Sequence, residues 1–529
     1  MKKFSPSCQR SYIGICLLLL LLLSASCSKD AADMPDVETL AHKLIPIPFF
    51  IELEEDVFEL TAETTIYTTN LSSALSSSVD QFVAQMRRST GFGLEVRTTD
   101  VLPTSGYISL ELLRSPSSFL GEQGYEIRIT KRAVTIEAAT EVGLFYSLQT
   151  LRQLMPAAVE AATVQQQLWN IPTLVIRDVP RFTYRAAMLD VARHFFSVDE
   201  VKRYIDLMSL YKLTHLHLHL TDDQGWRIEI KSWPKLTSIG ASTEVGGGPG
   251  GFYTQEDYRE IIDYAQARYI TIVPEIDMPG HTNAALASYA ELNCDGIAKE
   301  LYTGTDVGFS ALCLDKEITY DFVEDVIREV AALTPGPYFH IGGDEAETVL
   351  PFKYVEFINR VKEMVKSQGK QMIGWDEVAV ANVGSEEIVQ YWLRESNAQK
   401  ALDKSAKLIF SPMEKTYLNL RYNSTITLGA SFNLLLNTQR AYEWDPLDLL
   451  DGVLEGNILG IEAPLWTENV SDIKEAEYMA IPRLLGIAEI AWSRERDRNW
   501  EAYKRRLAAQ KERFEFLNIN YHLSTLVPW

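Results

Sequence analysis

Two acidic pairs stand out because each follows a short apolar run that reads as a strand. They are Asp344-Glu345, after His340-Ile-Gly-Gly, and Asp376-Glu377, after Gly374-Trp375. Most glycosidases set two carboxylates on opposite sides of the scissile bond, ~5–5.5 Å apart in retaining enzymes and further apart in inverting ones. Neighbours on one strand come from one wall and suit that geometry poorly. They suit a hydrolysis in which the sugar's own 2-acetamido oxygen attacks C1. Glu345 would protonate the leaving oxygen and later deprotonate water. Asp344 would accept the acetamido N–H and stabilise the oxazolinium ring. The competing explanation is a helix N-cap followed by a first-turn acid. Gly342-Gly343 weighs against it, because glycine lets a substrate approach the backbone closely.

Aromatic residues fall at equivalent places. Trp375, Trp392, Trp444 and Trp466 each follow a candidate strand, and Tyr417 and Asn419 follow another. One such Trp is ordinary core packing. Several at one mouth would make a sugar pocket, because sugar rings offer C–H faces to aromatics and hydroxyls to carboxylates and guanidinium groups. Arg193, Asp222 and Glu468 are suitable hydroxyl partners. His281, in a turn after Asp277 and Pro279-Gly280, could work beside Glu345 with its charge tuned by Asp222.

His215, His217 and His219 alternate along one strand and so share a face. They read as packed, hydrogen-bonded residues, or as part of a metal site completed by His281 and His340. No second His pair accompanies them, and the expectation is no metal and no cofactor. Gly246–Gly251 lacks the Gly-Lys-Ser/Thr ending of a phosphate loop and reads as a mobile loop before a helix near Thr254.

Elements must bring these residues together. From Tyr184 onward strands and helices alternate. Strands are expected at Tyr184–Leu189, Thr214–Leu220, Ile270–Ile276, Tyr338–Gly342, Gln371–Gly374, Ile388–Tyr391, Leu408–Phe410 and Ile458–Glu462. Helices are expected at Val198–Tyr211, Thr254–Arg268, Tyr320–Leu333 and Pro351–Gln368. This pattern predicts an α/β fold, a (β/α)8 TIM barrel over residues 179–529 that ends in a C-terminal helix. The chemistry-bearing residues fall at the predicted C-terminal ends of strands, where barrel enzymes keep their sites. Residues 41–178 mix short strands with two helical stretches, Ser72–Thr90 and Glu141–Leu154, and predict a small α+β domain.

The chain has 529 residues, 46% hydrophobic and 23% charged, with a net charge of −22. That is ordinary globular composition. The acidity argues against nucleic acid as a partner, whose phosphates need clustered Lys and Arg. Residues 1–26 join basic Met1–Arg10 to an apolar run, Ile13–Leu23, and read as an export signal. The run is shorter than a membrane span. Ser24-Ala25-Ser26-Cys27 resembles the lipobox of bacterial lipoproteins, although Ser24 stands where Leu is usual. The expectation is therefore a lipid on Cys27, a tether over 27–40, and a membrane-anchored protein, periplasmic or on the cell surface. Loss of the signal and lipidation of Cys27 would leave Cys294 and Cys313, either bridged or as two buried thiols.

Taken in order, the motifs resemble family 20 glycoside hydrolases, the β-N-acetylhexosaminidases. The most specific match is His340-Ile-Gly-Gly-Asp344-Glu345. It is reinforced by Asp190-Val-Ala-Arg193-His194-Phe, by His217-Leu-His-Leu-Thr-Asp-Asp-Gln-Gly-Trp-Arg227, by Pro274-Glu-Ile-Asp-Met-Pro-Gly-His281 and by Leu44-Ile-Pro-Ile-Pro48. The resemblance covers nearly all of the chain after the signal. It implies exo-acting, retaining, substrate-assisted removal of terminal β-linked GlcNAc or GalNAc from oligosaccharides and glycoconjugates. By motif, Glu345 is the acid/base and Asp344 the acetamido partner. Trp375, Trp392 and Trp466 wall the pocket, and Tyr417 bonds the acetamido oxygen. Arg193 and Glu468 hold outer hydroxyls, while Asp222 and His281 form a supporting pair. The family often has Asp where this chain has Asn419, which keeps hydroxyl binding but loses a charge. Two other readings are a metal-dependent barrel hydrolase on the strand histidines and a glycan-binding lipoprotein without turnover. Intact Asp344 and Glu345 argue against the latter.

Overall fold

The computed structural model describes residues 43–529 apart from Asn70, Asp100 and Pro116. The signal, Cys27 and the tether lie outside the described residues. Seven strands form the first sheet: β1 (Phe50–Glu59), β2 (Thr65–Thr68), β3 (Glu95–Thr98), β4 (Tyr107–Leu112), β5 (Tyr125–Ile129), β6 (Ala133–Ala138) and β7 (Asn170–Asp178). Their order is β1-β7-β5-β6-β4-β2-β3, parallel from β6 to β3 and antiparallel elsewhere. Helices Ser73–Thr90 and Glu141–Leu154 lay Leu75, Val79, Val83, Leu144, Leu148 and Leu151 on this sheet. Their N-caps are Ser72 and Thr140, whose side chains accept the backbone N–H of Leu75 and Gly143.

Eight parallel strands then close in sequence order: β8 (Tyr184–Asp190), β9 (His215–His219), β10 (Thr271–Glu275), β11 (Tyr338–His340), β12 (Gln371–Trp375), β13 (Ile388–Tyr391), β14 (Lys407–Phe410) and β15 (Ile458–Leu465). All eight expected strands form, and helix Val198–Leu210 opens on a Ser197/Glu200 capping box. Inward positions stack in layers. At the N-terminal end Tyr184, Ala186, Val273, Ile373, Ile388 and Ile409 make an apolar plug. Above it sits a buried polar layer of His217, Glu275, His340, Gln390 and Glu462. Met188, Trp375, Tyr417 and Trp466 form the next cluster, toward the mouth.

The two sheets are joined through buried polar contacts. Asp178, at the end of β7, accepts Tyr125 Oη (2.5 Å), Trp492 Nε1 (2.8 Å) and Lys212 Nζ (3.2 Å). Trp492 ends the barrel helix Arg483–Trp492, yet its ring packs in the core of the first domain. Arg185 on β8 donates to Gln123 Oε1 at 2.6 Å. Among the described residues no helix is long and apolar enough to cross a membrane.

Candidate active site

β11 ends at His340, and the next five residues turn sharply. Gly342 and Gly343 have φ of 65° and 99°. A Cβ on Gly342 would lie 1.8 Å from Asp277 Oδ1, so only glycine lets the two segments meet. Glu345 follows with φ 46° and His281 faces it with φ 54°. Two non-glycine residues in the left-handed region, each costing of order 1–3 kcal/mol, mark a place where geometry is held for function. Asp344 is buried, and the Glu345 side chain is 31% exposed.

His281 links the acids. Its Nδ1 donates to Asp222 Oδ1 at 3.2 Å, and its Nε2 lies 3.4 Å from Glu345 Oε2 and 3.8 Å from Asp344 Oδ2. Burial disfavours the imidazolium, but Asp222 and Asp344 outweigh it and hold His281 well above its usual value. Asp222 is also buried, yet Arg193 and His281 keep it ionised far below the usual carboxylate range. Burial pushes the Asp344 carboxyl up to about 6, with His281 opposing and Glu345 adding to the rise.

Four rings form an open box. Trp375 meets Trp466 at 5.7 Å between centroids and Trp392 at 6.5 Å, Trp392 stacks on Tyr417 at 6.1 Å, and Tyr417 meets Trp466 at 6.3 Å. Glu377 accepts Trp392 Nε1 at 3.0 Å, and Glu275 accepts Trp375 Nε1 at 2.8 Å, which fixes both indoles. Arg193 lies under Trp466 (4.8 Å to the ring centroid) and binds Asp222 Oδ2 at 2.8 Å. Burial pushes Glu468 up while Arg193 pulls it down.

Trp444 is a correction. It follows a strand in sequence but leaves the mouth. Its Nε1 donates to Ala441 O, and its carbonyl accepts Arg498. Arg498 also binds Asp445, which pairs with Arg181 ahead of β8. Trp444 therefore packs toward the N-terminal end of the barrel, where it serves the core. The acidic pair Asp376-Glu377 also divides its work. Asp376 ties down the next loop by accepting the N–H groups of Trp392, Leu393 and Arg394, and does not cap the short helix it opens, whose N-cap is Trp375 without a side-chain bond.

Sequence reasoning passed over two buried acids. Glu275 is a hub: it bonds His219 Nδ1, lies 3.0 Å from His217 Nε2 and from His340 Nδ1, and receives Trp375. Its signal was the alternation with Asp277, two residues past the end of β10. Asp190 accepts the N–H of Ala192, Arg193 and Thr467, locking the ends of β8 and β15 together. The strand histidines do not converge on one point. His215 stacks on Tyr184 at 4.2 Å, His217 pairs with Glu462 and Glu275, and His219 with Glu275 and Asp222. His217, Glu275 and His340 do place three donor atoms close together, and Asp277, His281 and Asp344 three more. In the first set His217 and His340 both lie against Glu275, whereas in the second Asp277 Oδ2, His281 Nε2 and Asp344 Oδ1 have no hydrogen-bond partner among the described residues. The glycine-rich loop is anchored, since Gly251 O accepts Arg227 Nη1 and Gly246 N donates to Thr303 O. Cys294 and Cys313 form a disulfide across the segment that follows His281.

One property unites the mouth. Asp344 Oδ1, Asn419 Oδ1, Glu468 Oε2, Arg193 Nε and Asp277 Oδ2 are buried polar atoms without a hydrogen-bond partner. An unsatisfied buried group costs about 1–3 kcal/mol. A cluster of them on aromatic walls is completed by a ligand that carries several hydroxyls or an amide.

Comparison with known proteins points the same way. Residues 182–356 and 350–495 match the model of the glycosyl hydrolase family 20 catalytic domain, and residues 41–179 match domain 2 of that family. A beta-N-acetylhexosaminidase of Cellulomonas fimi is 37% identical over 94% of this chain and 98% of the relative. A beta-hexosaminidase of Porphyromonas gingivalis is 33% identical over 97% of this chain and 69% of its own length. The solved GH20 beta-N-acetylhexosaminidase of Streptomyces coelicolor A3(2) superposes with a TM-score of 0.88 at 47% identity, covering 92% of this chain and 99% of that one. A mutant beta-hexosaminidase of Streptomyces plicatus in complex with product (GlcNAc) gives 0.88 at 46% identity, over 92% and 98%.

Proposed function

Since the chain belongs to glycosyl hydrolase family 20, we propose the residue roles by which it works as an exo-acting β-N-acetylhexosaminidase. The enzyme removes terminal β-linked N-acetylhexosamine by substrate-assisted, retaining hydrolysis. The observation that carries the assignment of roles is the unpartnered Oδ1 of buried Asp344 beside the box of Trp375, Trp392, Tyr417 and Trp466.

The acetamido group enters the box. Its N–H donates to Asp344 and its carbonyl oxygen accepts the Tyr417 hydroxyl, which aims that oxygen at C1. Glu345 gives its proton to the glycosidic oxygen as the C1–O bond breaks and the acetamido oxygen bonds C1. Charged Asp344 stabilises the oxazolinium ring. Water then attacks C1 from the vacated side and gives its proton to Glu345, the oxazolinium ring opens, and the β configuration is restored. His281, kept charged by Asp222 and Asp344, steadies the carboxylate of Glu345 between the two proton transfers. Arg193, Glu468 and Asn419 take the ring hydroxyls.

The test is hydrolysis of an aryl β-GlcNAc, with the aryl β-glucoside as control, beside Glu345→Gln. We expect turnover of the acetamido sugar alone. The variant should lose about 10²–10⁴-fold in kcat on a poor leaving group, the size of a general-acid contribution. Equal turnover of the glucoside would sink the acetamido mechanism. Sugar binding without turnover by the unaltered protein would favour the non-catalytic glycan binder.

We further propose that Cys27 carries a lipid that anchors the exported enzyme to a bacterial membrane, on the strength of the basic, apolar and small-residue succession before it. Mass spectrometry of the membrane-extracted protein should find a diacylglycerol adduct on an N-terminal Cys27. A free, unmodified N-terminus there would refute the anchor.

A further inference from the structure

A cavity of about 470 Å³ opens between the first domain and the barrel. It lies between helices Ser73–Thr90 and Glu141–Leu154 on one side and the barrel helix Val198–Leu210 on the other. Ser209 and Leu210 at the C-terminal end of that helix line it, and so does Arg268 just before β10. The site is therefore at the opposite end of the barrel from Asp344 and Glu345. Its volume falls in the ~300–1,000 Å³ range of small-molecule sites, which favour domain interfaces.

The lining is chemically specific. Gln149 is 7% exposed, and its Oε1 has no hydrogen-bond partner. The oxygen is sealed from solvent, while the amide nitrogen makes no hydrogen bond among the described residues and is the end left to meet an acceptor in the cavity. Four guanidinium groups line the same space, those of Arg88, Arg152, Arg203 and Arg268. Arg152 is paired with Glu160, Arg203 with Glu477, and Arg268 with Asp206. Arg88 donates only to Gln85 Oε1, so it has no carboxylate partner among the described residues. In each of Arg88, Arg152 and Arg203 the Nη1 nitrogen makes no hydrogen bond among the described residues. Carboxylates therefore neutralise three of the four guanidinium groups, and Arg88 is the one positive charge left over, in a chain of net charge −22. The half-buried Phe82 ring supplies an apolar wall.

An amide donor, an unneutralised guanidinium and an aromatic face together recognise hydroxyls, an anion and a ring. We propose that this interdomain cavity is a second, non-catalytic saccharide site that binds a sugar unit bearing one carboxylate or sulfate. Gln149 Nε2 donates to a ring hydroxyl, Arg88 takes the acidic group and Phe82 carries the C–H face. Such a site would hold an acidic branch of a glycan while the barrel mouth trims another end.

The test is calorimetric titration of the intact protein with D-glucuronate, which lacks the acetamido group that the catalytic box selects. D-glucose and inorganic sulfate are the comparisons. Saturable binding of glucuronate at one site is expected, at least about tenfold tighter than either comparison, as a charge-assisted hydrogen bond to Arg88 gives. Gln149→Leu and, separately, the exposed Arg88→Ala should each weaken glucuronate about tenfold and leave aryl β-GlcNAc hydrolysis unchanged. Unchanged hydrolysis also reports that the variants fold. Glucose binding as tightly as glucuronate overturns the requirement for an acid. Equal binding of sulfate reduces the site to an anion hole and overturns the sugar. Undiminished binding in both variants, or no binding by the intact protein, overturns the site itself.

Discussion

Asp344 does its work in a place that resists its charge. Burial raises its carboxyl to about 6, while the proposed role needs the anion. kcat/KM should therefore fall as pH drops below about 6, approaching tenfold per pH unit, with apparent values belonging to the coupled acids. A flat profile from about pH 4 to 7 would contradict the role. The stability effect has the opposite sense. A carboxyl raised from 3.8 to about 6 makes the native state hold its proton more tightly. Its contribution is complete below about 3.8 and lost as pH rises through about 6. Asp344→Asn, neutral at every pH, should raise Tm near pH 8 and leave it little changed near pH 3.5, while kcat collapses. A lower Tm near pH 8 would mean that the anion's attraction to His281 outweighs its burial. Function here is held against stability.

At the scale of elements, β10 and the turn after it carry most of the hidden architecture. Glu275 is buried among His217, His219 and His340, and despite its burial these imidazoles, His219 foremost, hold its carboxyl well below the usual range. Glu275→Ala would take a carboxylate from three buried histidines, of which His340 has no other, and should cost about 3–5 kcal/mol, read as a shift in the urea midpoint. Glu275→Gln, which keeps the volume and the acceptor for Trp375, should cost less. Equal losses would assign the whole cost to the charge, and an unchanged midpoint in the Gln variant would deny the charge its part. The disulfide closes a loop of sequence separation 19 behind His281. Its reduction should lower stability by ~3 kcal/mol. The barrel itself was legible in the sequence because apolar strands and amphipathic helices alternate with clear punctuation, and Ile388–Tyr391 was bounded correctly. The acids proposed as the catalytic pair stood out in the sequence because paired glycines and paired acids are rare after a strand. The short strands β2 and β3 of the first domain were not, since four residues are too few to show a period. Trp444 misled for a related reason: its distance from a strand says nothing about which end of the barrel its loop returns to. The cysteines could not be paired from spacing alone, because pairing depends on where the backbone brings them.

Across the whole molecule, the two sheets share one buried seam. Lys212, Tyr125 and Trp492 all meet Asp178, and Arg513 meets Glu160 from the far end of the chain. Calorimetry of the intact protein should show one cooperative transition. Trp492→Ala should lower its stability by about 3–5 kcal/mol, although the residue lies far from any catalytic group. Two well-separated transitions would show that the seam is weak. The seam also bears on how such a protein can be rearranged. Because the last Trp of a barrel helix completes the neighbouring domain's interior, the barrel alone is not an interchangeable module. Duplication, fusion or transplantation between genes would have to carry both halves as a single heritable block, and an engineer grafting this catalytic mouth onto another scaffold meets the same restriction.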